Sequence, residues 1–143
     1  MVNKKELTVI VTTPEGKVYN HTSCALTAQA VDGGLTILPN HAPIMVPLKI
    51  SALKSKRVDD QSDDPFDYIA IGGGIMEVRD NIITILANVA ELADDIDVTR
   101  AERAKDNAES VLKNKQASKK DIDRARISLN KAINRISCSR HRH

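Results

Sequence analysis

The chain has 143 residues, 41% of them apolar, with 21 Lys and Arg against 19 Asp and Glu and a formal net charge of only +2. That is enough apolar material for one domain, or a small domain with an appendage, and it excludes wholesale disorder. No stretch approaches the ~18 consecutive apolar residues of a transmembrane helix, and the aromatics Tyr19, Phe66 and Tyr68 are too few for a base-stacking surface.

The small net charge hides an asymmetry. Residues 1–112 carry 11 basic and 17 acidic side chains, a balance of −6, whereas residues 113–143 carry 10 and 2, a balance of +8. A basic arm of this kind points to an acidic partner. The start of the chain reaches Glu6 and Thr8 too soon to form a signal-peptide apolar region. Cys24 and Cys138 stand far apart, which suits a reduced, cytosolic protein better than a disulfide scaffold.

In chain order, Leu7, Val9 and Val11 alternate with Thr8, Ile10 and Thr12, a strand pattern that stops at Thr13-Pro14-Glu15-Gly16. Pro followed two residues later by Gly is turn chemistry, because Pro presets φ and Gly tolerates positive φ. Further short strands are expected at Val18–His21, Ser23–Gln29, Leu35–Leu38, Ile44–Leu48, Phe66–Ile71, Ile75–Arg79 and Ile82–Ala87. Asp32-Gly33-Gly34, Pro39–Pro43, Gly72-Gly73-Gly74 and Asp80-Asn81 separate them. Such spacing implies a β-sandwich or flattened barrel of about ten short strands. Ile82–Ala87 alternates little, which suits a strand covered on both faces. Beyond Ala90 the period changes. Ala101, Ala104, Ala108 and Val111 form one helical seam, and Ile122, Ala125, Leu129, Ala132 and Ile136 form another. Asp97 and Ser118 are the expected N-caps. The fold class is therefore α+β, with a β domain over residues 1–90 and an antiparallel two-helix hairpin over 91–143. An alanine-rich seam buries little area, so the hairpin is expected to pack weakly and to detach.

The motifs carry little chemistry. Gly72-Gly73-Gly74 has no Lys-Ser/Thr after it and runs into a strand, so it reads as a turn rather than a phosphate loop. The acidic run Asp59–Asp64 lacks the turn Gly and distal Glu of a calcium loop and reads as solvated. His41, within Pro39-Asn40-His41-Ala42-Pro43, has no nucleophile beside it. Cys138-Ser139-Arg140-His141 has no second ligand pair for zinc, and the tail reads as basic and mobile. Asp94, Asp95 and Asp97 complement a helix dipole, whereas Arg100 remains available for an acidic partner or a phosphate. Arg124, Lys131 and Arg135 fall near one face of the second helix, and its almost purely positive sign is unusual for a plain solvated surface.

Four motifs in order carry a resemblance: Val11-Thr12-Thr13-Pro14-Glu15-Gly16, Ile37-Leu38-Pro39-Asn40-His41-Ala42-Pro43, Gly72-Gly73-Gly74-Ile75-Met76-Glu77-Val78, and Val89-Ala90-Glu91 leading into Asp95-Ile96-Asp97-Val98-Thr99-Arg100-Ala101. Together they closely resemble the bacterial epsilon subunit of the rotary F-type ATP synthase, over essentially the whole chain. The resemblance implies a non-catalytic central-stalk subunit of a proton-translocating complex at the cytoplasmic face of the cell membrane, reaching the membrane only through that complex. It implies a β domain that binds the gamma subunit and sits on the c-subunit ring, with His41 in the loop facing the ring. Gly34 replaces a neighbouring family Glu. The hairpin would extend into the alpha/beta catalytic hexamer and inhibit ATP hydrolysis, with Arg124, Arg126, Lys131 and Arg135 meeting an acidic segment of the catalytic subunits.

Some family members bind a regulatory ATP on the folded hairpin, and Glu91, Asp97, Arg100 and Arg135 match positions of that site. Lys131 and Asn107 depart from two of its basic positions; Lys lacks a bidentate fork and Asn lacks charge. Weak or absent nucleotide binding is expected, with no cofactor required. A reading from a different class is a small nucleic-acid-binding protein using the basic helix, marked by salt-dependent retention on DNA.

Overall fold

The computed structural model describes residues 5–58 and 60–143, so the first four residues of the β domain and Asp59 of the acidic run lie outside the described residues. Seven strands precede two helices among the described residues: β1 (Leu7–Thr13), β2 (Gly16–Ala30), β3 (Gly33–Ile37), β4 (Ile44–Arg57), β5 (Phe66–Arg79), β6 (Ile82–Ala87), β7 (Ala90–Leu92), α1 (Val98–Lys113) and α2 (Lys119–Ser139). A 3-10 turn at Ala93–Asp95 joins the strands to the helices.

The architecture is the expected one, but the expected ten short strands are seven, three of them long. Val18–His21 and Ser23–Gln29 are parts of the single 15-residue β2, and Phe66–Ile71 and Ile75–Arg79 are the two halves of β5. The three glycines between those halves do not form a turn. Gly72 pairs with Ile50 and Gly74 with Leu48, while Gly73 falls between them with φ of 87°. The strand thus bends at Gly73 without ending, and its register with β4 is unbroken across the triplet.

The sheet closes on itself through the β1–β2 pair. The pairing order runs β1-β6-β5-β4-β2 and returns from β2 to β1, with β3 added on β2 and β7 on β5. The β1–β6 pair is parallel and the others are antiparallel. Two-residue turns set the register. Asp80 and Asn81, both at positive φ, join Arg79 to Ile82, the arrangement that matches the twist of paired strands. Inside, Leu7, Val9, Val11, Leu26, Ile37, Leu53, Ile69, Met76, Ile83 and Ile85 are essentially inaccessible and form one core.

Ile82–Ala87 departs from expectation. Its residues alternate, with Ile83 and Ile85 buried while Ile82 and Leu86 stay 45% and 56% exposed. Ile75 and Pro47 lie beside Leu86 in register, and Met45 is 64% exposed on the same strands. The strand reads as doubly apolar because the outward face of β4, β5 and β6 carries exposed apolar side chains beside Glu77 and Thr84, and none of the described residues covers them.

Candidate functional site

The hairpin begins as its sequence dictates. Asp97 caps α1, its carboxylate accepting the Arg100 N–H at 3.1 Å, and Ser118 caps α2 by accepting the Asp121 N–H at 3.1 Å. The seams meet: Ala101 and Ala108 of α1 and Ala125 and Ala132 of α2 are buried. α2 also rests on the barrel, where Ala70, Ala93, Ile96 and Cys138 make a second, small cluster with Ala52 and Tyr68 packed against it. One isoleucine and a few small side chains stabilise such a contact by only a few kcal/mol, so polar groups decide whether the hairpin stays down.

Those groups are specific. Asn134 Nδ2 donates to the carbonyls of Ser51 at 2.8 Å and Ile71 at 3.4 Å, beside the bend of β5. Arg135 pairs with Glu91: Nη2 donates to Oε2 at 3.2 Å, and the buried Nε faces Oε1 at 2.6 Å as a charge contact without hydrogen-bond alignment. Around this pair lies a cavity of about 400 Å³ between the hairpin and the barrel, lined by Gly72, Glu91, Arg100, Ser128, Lys131 and Arg135 among others. Three cations and one carboxylate share it. The Gly72 N–H, on the barrel wall of this cavity, already donates to the Val89 carbonyl at 3.0 Å.

The structure therefore brings Glu91, Arg100 and Arg135 together, with Lys131 beside them. Asp97 is not among the lining residues; its carboxylate holds the start of α1. Asn107 lines a different recess between the helices, with Asp121 and Arg124. Arg124 and Arg126 are exposed on α2. His41 belongs to another part of the molecule, where its Nδ1 lies 2.6 Å from the Ala42 carbonyl. Its loop is clipped to the β5–β6 turn: the Asn40 N–H donates to Asn81 Oδ1 at 2.6 Å, and Asn81 Nδ2 donates to Asn40 Oδ1 at 3.2 Å.

The tail corrects the sequence reading. It is pinned, because aromatic and carboxylate partners distant in sequence meet it. Cys138 and Ser139 are buried. The His141 ring stacks on Tyr68 with centroids 3.9 Å apart, and the His143 ring nitrogens lie 3.2 Å from Asp64 and 3.2 Å from Asp67. The acidic run is correspondingly less solvated than its composition suggests, since Asp60 pairs with Arg57 at 2.6 Å. Charge complementarity between that run and the Arg-His-Arg-His end was the available signal.

Behind the tail a polar network enters the barrel. The Tyr19 hydroxyl donates to Asp67 Oδ2 at 2.7 Å and lies 3.2 Å from Ser55 Oγ, and Ser55 meets Ser23. Burial first, then the Asp67 carboxylate, push the Tyr19 hydroxyl up to about 12. Burial would raise the Asp67 carboxyl, but hydrogen bonds from Tyr19 and His143 and the Arg57 charge outweigh it and hold it below its ordinary value. A depressed carboxyl contributes stability that is fully present above its ordinary value near 3.8 and is lost as pH falls through the depressed one. Thermal melts from neutral pH down to about pH 2 should show Asp67→Asn losing less stability than the parent over the acid limb. Parallel curves would count against the network.

Residues 6–93 match the family model described as the ATP synthase delta/epsilon chain, beta-sandwich domain. Residues 94–139 match that of the ATP synthase delta/epsilon chain, long alpha-helix domain. Among solved structures, the chain is similar to one in the Euglena gracilis mitochondrial ATP synthase, OSCP/F1/c-ring in rotational state 1, with a TM-score of 0.75 and 17% identity over 91% of this chain and 79% of that one. It is also similar to one in the central stalk/c-ring of the Tetrahymena thermophila mitochondrial ATP synthase, with a TM-score of 0.59 and 15% identity over 96% and 99%. At these identities the likeness is one of fold.

Proposed function

The chain belongs to the delta/epsilon family of ATP synthase subunits, and from that premise we propose that it is a non-catalytic rotor subunit whose hairpin inhibits ATP hydrolysis. The observation that carries this reading is the nature of the α2–barrel contact. A small apolar cluster, one asparagine, one ion pair and the tail beyond the helix hold it down, while Arg124 and Arg126 are exposed. Such an element has two states of similar free energy, and a partner with differential affinity selects between them. An acidic segment of the catalytic alpha/beta hexamer is the partner proposed for the basic helix, with Lys131 and Arg135 joining once they leave the cavity.

In the same reading the β domain stays seated on the rotor. The open apolar face of Met45, Ile75, Ile82 and Leu86 suits the gamma subunit, since large apolar patches rimmed by polar residues mark protein contacts. The clipped loop holding His41 is assigned to the c-subunit ring. This gives a peripheral protein on the cytoplasmic face of a bacterial membrane, associated with it through the proton-translocating complex. The test is to purify the complex with and without this chain and compare hydrolysis. Slower hydrolysis with the chain is expected, and equal rates would overturn the inhibitory role.

The cavity is proposed to bind nucleotide weakly or not at all. Glu91 and Arg135 are already paired with each other, Asp97 is held by its capping bond, and Asn107 brings no charge to the cavity. A phosphate chain would have to break the Glu91–Arg135 pair before it gained Arg135 as a bidentate partner. Calorimetry of the isolated chain with ATP should show no saturable heat at micromolar concentration, roughly the −8 kcal/mol range of affinity. A tight, specific isotherm would contradict the assignment.

A further inference from the structure

The end of α2 does not stop where the helix stops. Arg140 remains helical in conformation, and the His141 and Arg142 N–H groups donate back to Cys138 at 3.0 Å and Ser139 at 3.2 Å. This extra turn lays the tail across the junction between barrel and hairpin. His141 covers Tyr68 of β5, the rings being 12° from parallel. Arg142 Nη2 donates to the Ile96 carbonyl at 2.8 Å, one residue before the α1 cap. The His143 N–H donates to Asp94 Oδ1 at 2.6 Å, while its ring lies between Asp64 and Asp67, with Arg57 Nη1 at 3.4 Å from Nε2.

These contacts fall on the segment that any hairpin movement must use. Ala93–Asp97 is the only covalent link between β7 and α1, and the tail grips it at Asp94 and at Ile96. We propose that residues 141–143 are a strap that locks the hairpin against the barrel by immobilising its own hinge. The strap is separate from the Glu91–Arg135 pair and needs no ligand in the neighbouring cavity. The hinge cannot swing until His141, Arg142 and His143 let go, so release begins at these residues rather than at the helix seam. This concerns the isolated chain and stands whether or not the hairpin inhibits hydrolysis.

Cys138 gives a direct readout, because it lies beneath the strap at 1% exposure, packed with Ala70, Ala93 and Ile96. Burial, then the Glu91 charge, push its thiol up to about 11, so it reacts only when the hairpin lifts. In a Cys24→Ser background, labelling by a small thiol reagent should be about ten-fold faster in the His141→Ala/Arg142→Ala chain, the effect of losing one charge-assisted bond and one ring contact. Arg142→Ala alone, which removes only the bond to the Ile96 carbonyl, should accelerate labelling about three-fold in the same direction. Helical circular dichroism and the cooperative unfolding transition should be unchanged in both. Labelling within about two-fold of the parent in both variants would overturn the strap. Faster labelling together with loss of cooperative unfolding would also overturn it, because the tail would then serve the fold as a whole rather than the hinge.

Discussion

Gly74→Ala is expected to destabilise the β domain by about 3 kcal/mol or more, among the largest effects of a single substitution. A Cβ at this position would lie far inside contact distance of the Leu86 carbonyl oxygen and 3.0 Å from Ala87 Cα. Both are backbone atoms of β6, in a register fixed by five further residue pairs from Ile75↔Leu86 to Arg79↔Ile82. No rotamer change relieves the clash, so β6 would have to leave β5, opening the ring between them. Urea unfolding should show a much lower midpoint, or no cooperative transition at all. Two neighbours serve as comparisons. At Gly34 the Cβ would meet only the Gln29 side chain, at 3.1 Å, which can move. At Gly72 it would meet Val89 Cγ2 at 2.7 Å and Lys131 Cε at 3.4 Å, so an alanine there should disturb hairpin docking more than the barrel. If Gly74→Ala unfolded within about 1 kcal/mol of the parent, the close β5–β6 approach would not be what makes this glycine necessary.

The second large effect concerns the complex. Removing residues 98–143 is expected to raise ATP hydrolysis roughly five-fold or more, the lower end of coupling between distant sites, while the shortened chain still assembles. The position of the cut matters. Glu91 and Leu92 belong to β7, which pairs with Ala70 and Ile69, and Ala93 and Ile96 pack on Ala70. A cut at residue 91 would strip that covering from β5, whereas a cut after Asp97 removes only the helices. A charge-reversed Arg124→Glu/Arg126→Glu chain refines the experiment. Both side chains are exposed in the docked hairpin, so docking should persist while inhibition weakens. Unchanged hydrolysis in complexes that contain the shortened chain would remove the basis for an inhibitory hairpin.

How much of this was readable in the sequence depends on the range of the interaction involved. Local signals were reliable. The Asp97 and Ser118 caps, the two alanine seams and the Asp80-Asn81 turn are decided within a few residues, and the structure has all of them. The glycine triplet was misleading because glycine permits both a chain reversal and a bend. Only the pairing of both halves of β5 with β4 distinguishes the two. The exposed side of β6 could not be read either, since an apolar side chain looks the same whether its cover comes from its own chain or from elsewhere.

The candidate site divides in the same way. Glu91, Arg100 and Arg135 line one cavity, but nothing in their spacing required Glu91 and Arg135 to neutralise each other. The tail was the largest omission. His141 meets Tyr68 across more than seventy residues of chain, and His143 meets Asp67 across 76. Contacts at that separation carry no periodicity, and composition alone made the tail appear solvated.

The bend at Gly73 has a mechanical consequence. Because β5 passes from one half of its partner β4 to the other without a break, force applied at the Asp80-Asn81 end is carried along a continuous covalent strand. The hydrogen bonds to β4 and β6 lie across that direction and share the load in shear. A sheet joined by loops at this point would yield at the loops instead. The hairpin joins this path through Ala93–Asp97 and rests on it through the Asn134 bonds to Ser51 and Ile71, so lifting the hairpin breaks side-chain contacts and leaves the run of β5 intact.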